Sequence, residues 1–182
     1  MAWLLIEHLI LVNSILNFMN KRILLFSSIF LLPFSALAVE VEQPAPQFTL
    51  PTLKNNTPIS LKQFTGKVVY VDFWASWCAP CKKSFPALNV LHQKLKSQGF
   101  EVVAINLDED KNAADKFLQE VPVDFTVLRD AKGELSDQYI VETMPTSFIL
   151  DKNGVVQKIH HGFNNDDIKE IEAKITELLA KK

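Results

Sequence analysis

The two cysteines of this chain, Cys78 and Cys81, stand just behind an almost unbroken β-branched and aromatic run, Val68-Val69-Tyr70-Val71-Asp72-Phe73-Trp74. No other feature limits the fold as much. A strand with one wet face alternates polar and apolar side chains. This run does not, so it reads as a central strand covered on both faces, with Asp72 as its one charged residue. Beyond the cysteines, Phe85, Leu88, Leu91 and Leu95 recur at helical spacing until Gly99 stops the pattern. The cysteine pair therefore falls where a buried strand hands over to the N-terminus of a helix. A bridge across so short a loop takes little entropy from the unfolded chain, so stability is a poor reason for the pair and chemistry a better one.

The rest of the chain predicts elements around that join. Residues 41–46 hold two prolines and read as an extended leader, and Phe48–Leu50 and Ile59–Leu61 read as a hairpin across the polar turn Lys54–Pro58. Glu101–Leu107 is a second strand, Asn112–Glu120 a second helix, Phe125–Leu128 a short strand and Glu134–Tyr139 a helical turn. Thr146–Leu150 and Val155–His160 are strands joined by Asp151-Lys152-Asn153-Gly154, a hairpin turn. A last helix is expected from Asp166 to Ala180, with Ile168, Ile171, Ile175, Leu178 and Leu179 along one face. Strand, helix, strand, helix, hairpin and helix make an α/β architecture with a mixed sheet. Pro86 falls inside the cysteine-bearing helix and is expected to kink it.

Residues 1–38 read as targeting sequence. From Met19 they show Asn20-Lys21-Arg22, the apolar run Ile23–Phe34 and the small-x-small end Ser35-Ala36-Leu37-Ala38, which together form a secretory signal with cleavage expected after Ala38. Met19 is the expected true start, because residues 1–18 precede a complete signal that has its own methionine. An uncleaved membrane anchor is the alternative; Lys21 and Arg22 interrupt it. One domain, residues 39–182, remains. Setting aside Lys21, Arg22 and Glu7 leaves 17 basic against 20 acidic side chains, without a single-sign block, and nothing in that balance points to nucleic acid.

At a helix N-terminus, free amides and the dipole stabilise an anion, so Cys78 is the candidate thiolate nucleophile. Cys81, one turn on and facing the same side, is placed to attack a mixed disulfide formed by Cys78. Pro80 suits a first turn, where its missing amide has no partner to lose. Asp72, an acid within an apolar strand, is the candidate proton acceptor for Cys81, with a structural carboxylate as the bland alternative.

The segment Val71-Asp72-Phe73-Trp74-Ala75-Ser76-Trp77-Cys78-Ala79-Pro80-Cys81-Lys82-Lys83 resembles the active-site segment of the thioredoxin superfamily. With the N-terminal hairpin, Pro86, Met144-Pro145-Thr146 and the signal peptide, residues 39–182 are similar to its TlpA/ResA-like branch. The resemblance implies a thioredoxin fold and a thiol–disulfide oxidoreductase that needs no cofactor and no metal. It also implies that Pro145 is cis and packs beside the dithiol, so that Trp77, Ala79, Pro80, Met144 and Pro145 form the substrate groove. The implied partners are disulfide-containing exported proteins and a membrane thiol donor of the DsbD/CcdA type, with a monomer in the periplasm. Asp72 lies six residues before Cys78, where thioredoxin has a buried aspartate that takes the proton of the resolving cysteine. Ala-Pro between the cysteines is nearer the Gly-Pro of reducing members than the Pro-His of strong oxidants. Cytochrome-maturation members carry glutamate three residues after the second cysteine; Ser84 stands there, a departure that counts against a haem-protein role.

Competing readings are weaker. A zinc site wants four ligands, and His160-His161, adjacent on a strand, would offer only one toward the cysteines. The alternative function, redox-linked copper handling, goes with three residues between the cysteines and a distal histidine in proteins of this fold. A peroxidase would need threonine where Ala75 stands. Trp74 and Trp77 read as core and rim, His92 as a residue of a solvated helix face, and Tyr139 as packing alone.

Overall fold

The computed structural model describes residues 39–181, and the expected targeting segment and its cleavage site lie outside them. The strands are β1 (Thr49–Pro51), β2 (Pro58–Ser60), β3 (Val68–Trp74), β4 (Phe100–Asn106), β5 (Thr126–Arg129), β6 (Thr146–Leu150) and β7 (Val156–His161). The α-helices are α1 (Ala79–Leu95), α2 (Lys111–Glu120), α3 (Glu134–Gln138) and α4 (Asp167–Ala180). β1 and β2 pair antiparallel as the expected hairpin, and the other five form one mixed sheet in the order β5-β4-β3-β6-β7. β3 is parallel to β4 and antiparallel to β6, so it is the central strand, and all seven of its residues are buried.

Alternation along β3 divides the core. Val68, Tyr70 and Trp74 face a cluster built with Phe85, Leu88 and Leu91 of α1, Phe117 of α2, and Ile171 and Ile175 of α4. Val69, Val71 and Phe73 face the other way, onto Phe48, Leu61, Phe64, Leu135 and Tyr139. The N-terminal segment and α3 thus cover one face while the three longer helices cover the other. Tyr139 does more than pack: its hydroxyl donates to the Pro46 carbonyl at 2.9 Å and ties the leader to this face.

α1 ends in a short 3-10 turn, Lys96–Gln98, closed by Gly99 in the left-handed region at φ +95°, where a glycine carries no Cβ penalty. The helix runs on through Pro86. His92 departs from expectation. It is only 5 % exposed, turned inward where Nε2 meets Glu101 Oε1 at 2.9 Å, and Glu101 in turn accepts from Lys67 at 3.0 Å. The sequence places it on a solvated helix face; in the structure the ring is covered and lies against Glu101 of β4. No helix among the described residues is long and apolar enough to cross a membrane.

Candidate active site

β3 delivers the chain to the end of the sheet at Trp74, and the next residues turn sharply into α1. The Cys78 amide donates to the Ala75 carbonyl at 3.1 Å, and Leu107 donates to the Trp74 carbonyl at 2.9 Å. Asp108 anchors this turn from beyond β4. One of its oxygens accepts from the Ser76 amide at 2.8 Å, the other from the Ser76 hydroxyl at 2.9 Å, and Asn106 Nδ2 donates to it at 2.7 Å. Asp108 is itself buried, so three donors converge on a carboxylate shielded from water, an arrangement that fixes the loop directly before Cys78.

Cys78 and Cys81 are joined in a disulfide, with Cα atoms 5.3 Å apart. Cys78 caps α1: its backbone is extended (φ −80°, ψ 102°) and its sulfur accepts from the Cys81 amide at 3.2 Å. Pro80 lies in the first turn. Both cysteines belong to the core cluster of the helical face, Cys78 being 3 % and Cys81 0 % exposed. Trp77 beside them is 70 % exposed and Ala79 is also exposed. Met144, half-buried, packs against the same cluster, and the Met144–Pro145 bond is cis. Pro145 is buried, and its carbonyl accepts from Gly162 at 2.7 Å. Beneath the pair lies an aromatic group, with the Trp74 ring 4.7 Å from those of Phe85 and Phe117. Ser84, buried in α1, donates from its hydroxyl to the Cys81 carbonyl at 3.2 Å.

Asp72 lies between Tyr70 and Trp74 on the face that holds the cysteines, 1 % exposed. Its neighbours across the strands are Ala104 and Ser147. Ser147 donates to Oδ1 at 2.7 Å, and Oδ2 is buried without a partner. Burial raises the carboxyl from its ordinary acidity to about 7, with the Ser147 hydrogen bond pulling the other way.

Asp108, Ser76, Ser147 and Tyr70 are the residues near the dithiol that sequence reasoning passes over. Ser147 left a signal, a hydroxyl in the apolar strand Thr146-Ser147-Phe148-Ile149-Leu150. The histidines separate as the strand dictates: His160 meets Asp167 at 3.1 Å, while His161 meets Thr146 Oγ1 at 3.1 Å. Among the described residues no three His, Cys, Asp or Glu side chains group closely enough to hold a metal ion.

The Redoxin family model matches residues 40–175. The chain belongs to the Redoxin family. Among redoxins it is 37 % identical over 139 residues to the thiol-disulfide oxidoreductase ResA of Bacillus thuringiensis subsp. konkukian, covering 76 % of this chain and 80 % of that one. It is 39 % identical over 118 residues to ResA of Bacillus subtilis, covering 65 % of each. A crystal structure from Chlorobium tepidum, assigned to a thiol:disulfide interchange protein DsbE, superposes with a TM-score of 0.75 at 45 % identity, covering 79 % of this chain and all of that one. The thioredoxin fold and the thiol–disulfide oxidoreductase activity expected of this redoxin follow from those likenesses.

Proposed function

We propose that this redoxin reduces or exchanges disulfides of exported proteins, with Cys78 attacking, Cys81 resolving and Asp72 carrying the proton. The observation that carries this reading is the cap of α1, where the Cys81 amide points at the Cys78 sulfur and would stabilise a thiolate there. In the dithiol form, the Cys78 thiolate attacks one sulfur of a client disulfide, and the client's other sulfur leaves as a thiolate and takes a proton from solvent. Cys81 then gives its proton to Asp72 and attacks Cys78. The Cys78–Cys81 disulfide re-forms as the client's second sulfur departs and recovers a proton from Asp72. The client disulfide gains two electrons and the dithiol loses two, so the cycle needs a thiol donor; a membrane protein of the DsbD/CcdA type fits a domain held outside the cytoplasm.

Trp77, Ala79, Pro80, Met144 and Pro145 form the client groove in this reading, supported by the exposure of Trp77 and Ala79 and by the packing of Met144 against the cysteine cluster. The periplasm, reached after cleavage behind Ala38, is the compartment proposed, and the working species is a monomer. The reduction potential of the Cys78–Cys81 couple tests the direction. A value near that of thioredoxin, about −270 mV, supports a reductase, and one near that of DsbA, about −120 mV, makes the protein an oxidase.

A further inference from the structure

Tyr70, Ser147 and Asp72 form a hydrogen-bonded chain with a fixed direction. The Tyr70 hydroxyl donates to Ser147 Oγ at 2.8 Å, and Ser147 donates its own proton to Asp72 Oδ1 at 2.7 Å. All three residues are 1 % exposed, so water does not compete for these bonds. Burial lifts the Tyr70 hydroxyl well above its ordinary pKa, so it stays a donor. With Tyr70 filling an acceptor site of Ser147, the serine proton turns to Asp72, and each bond polarises the next. Oδ1 is thereby occupied, and Oδ2, buried without a partner, is the oxygen left to exchange a proton.

We propose that Tyr70 and Ser147 are positioning residues for Asp72, which favour its carboxylate and reserve Oδ2 for the proton of the dithiol. The proposal rests on the proton-carrying role given to Asp72 above. No cation offsets the buried charge from the neighbouring strands: β4 presents Ala104 and Val102, and β6 presents Ser147 and Ile149. α1 presents the two cysteines, and the α4 residues in the cluster, Ile171, Ile175 and Leu178, are apolar. At the rim, β7 carries His160, opposite Ser147 and paired with Asp167, and Lys158, paired with Glu170. Hydroxyl donors therefore do the work that a lysine would otherwise do: burial raises the proton affinity of Asp72, and the Ser147 hydroxyl, oriented by Tyr70, holds it down.

The Asp72 carboxyl of the oxidised protein, followed by carbon-13 NMR across pH, reports this without turnover. Ser147→Ala should move its titration midpoint up by about tenfold in proton affinity, since a hydrogen bond to a charged group is lost. Tyr70→Phe should raise it by less, and Ser147→Thr, which keeps a hydroxyl, should restore it. His160→Gln should leave it in place. The pH midpoint of mixed-disulfide resolution should move with the carboxyl in the same variants. An unmoved carboxyl in Ser147→Ala, or a moved carboxyl with an unmoved rate midpoint, overturns the positioning role. A resolution profile unaltered by Asp72→Asn overturns the role of Asp72 itself, and so separates the two failures.

Discussion

The amide of Cys81 donates to the sulfur of Cys78 across 3.2 Å, so the backbone of one cysteine supplies part of the surroundings of the other's sulfur. The relation is not mutual, because Cys81 lies inside the first helical turn and is wholly buried. Cys81→Ser keeps that amide and removes only the resolving sulfur. Mixed disulfides with client proteins should accumulate in this variant and be absent from Cys78→Ser, as read by non-reducing electrophoresis of thiol-trapped lysates. Accumulation in Cys78→Ser instead would reverse the roles.

Asp72 should make the protein less stable as pH rises. Its folded pKa, about 7, lies above its ordinary value of 3.8, so between those limits the native state holds a proton that the unfolded chain has lost. This contribution is fully present below the unfolded value, falls as pH rises, and is gone above the folded one. Asp72→Asn should flatten that fall and add up to about 4 kcal/mol at pH 8, since each tenfold difference in proton affinity between the folded and unfolded states is worth about 1.4 kcal/mol. Urea unfolding at pH 4, 6 and 8 measures it, and parallel wild-type and variant profiles would contradict it.

Asp108→Ala should loosen the turn before Cys78. It strands the Ser76 amide and the Asn106 amide group beside a vacated carboxylate, at a cost of about 2–3 kcal/mol. Hydrogen exchange of the amide at Ser76 should quicken along with the global loss. An amide at Ser76 that keeps its protection would show the loop to be held by its neighbours instead.

Trp77→Ala separates binding from folding. An aromatic side chain this exposed contributes little to stability, so unfolding should shift by less than about 0.5 kcal/mol. If Trp77 contacts clients, kcat/KM toward a protein disulfide should fall about tenfold while that toward a small-molecule disulfide stays level.

The fold was legible where the chain's own periodicity decides it. The buried run of β3, the spacing from Phe85 to Leu95 and the turn Asp151–Gly154 each state their element locally, and the structure keeps them within a residue or two. The helix begins earlier than its apolar spacing implies, at Ala79, because a cap rather than a hydrophobic period starts it. What escaped depends on register. Ser76 meets Asp108 only because Leu107 extends the β4 pairing past Trp74, and Ser147 meets Asp72 only because β6 runs antiparallel to β3. A one-residue slip would have turned either partner away, and no single segment records that alignment. His92 escaped for the same reason, since its partner Glu101 lies on another element.

The N-terminal segment that covers one face of the sheet also reaches both of its margins. Near one margin, Glu42 donates to Val156 and Val156 donates back to Gln43; near the other, Leu53 donates to Val127 beside a bridge from Thr52 to Leu128. Open strand borders template further pairing with other chains. By occupying the start of β7 and the outer side of β5, residues 42–53 act as a selvedge, closing part of each border of the sheet to an added strand.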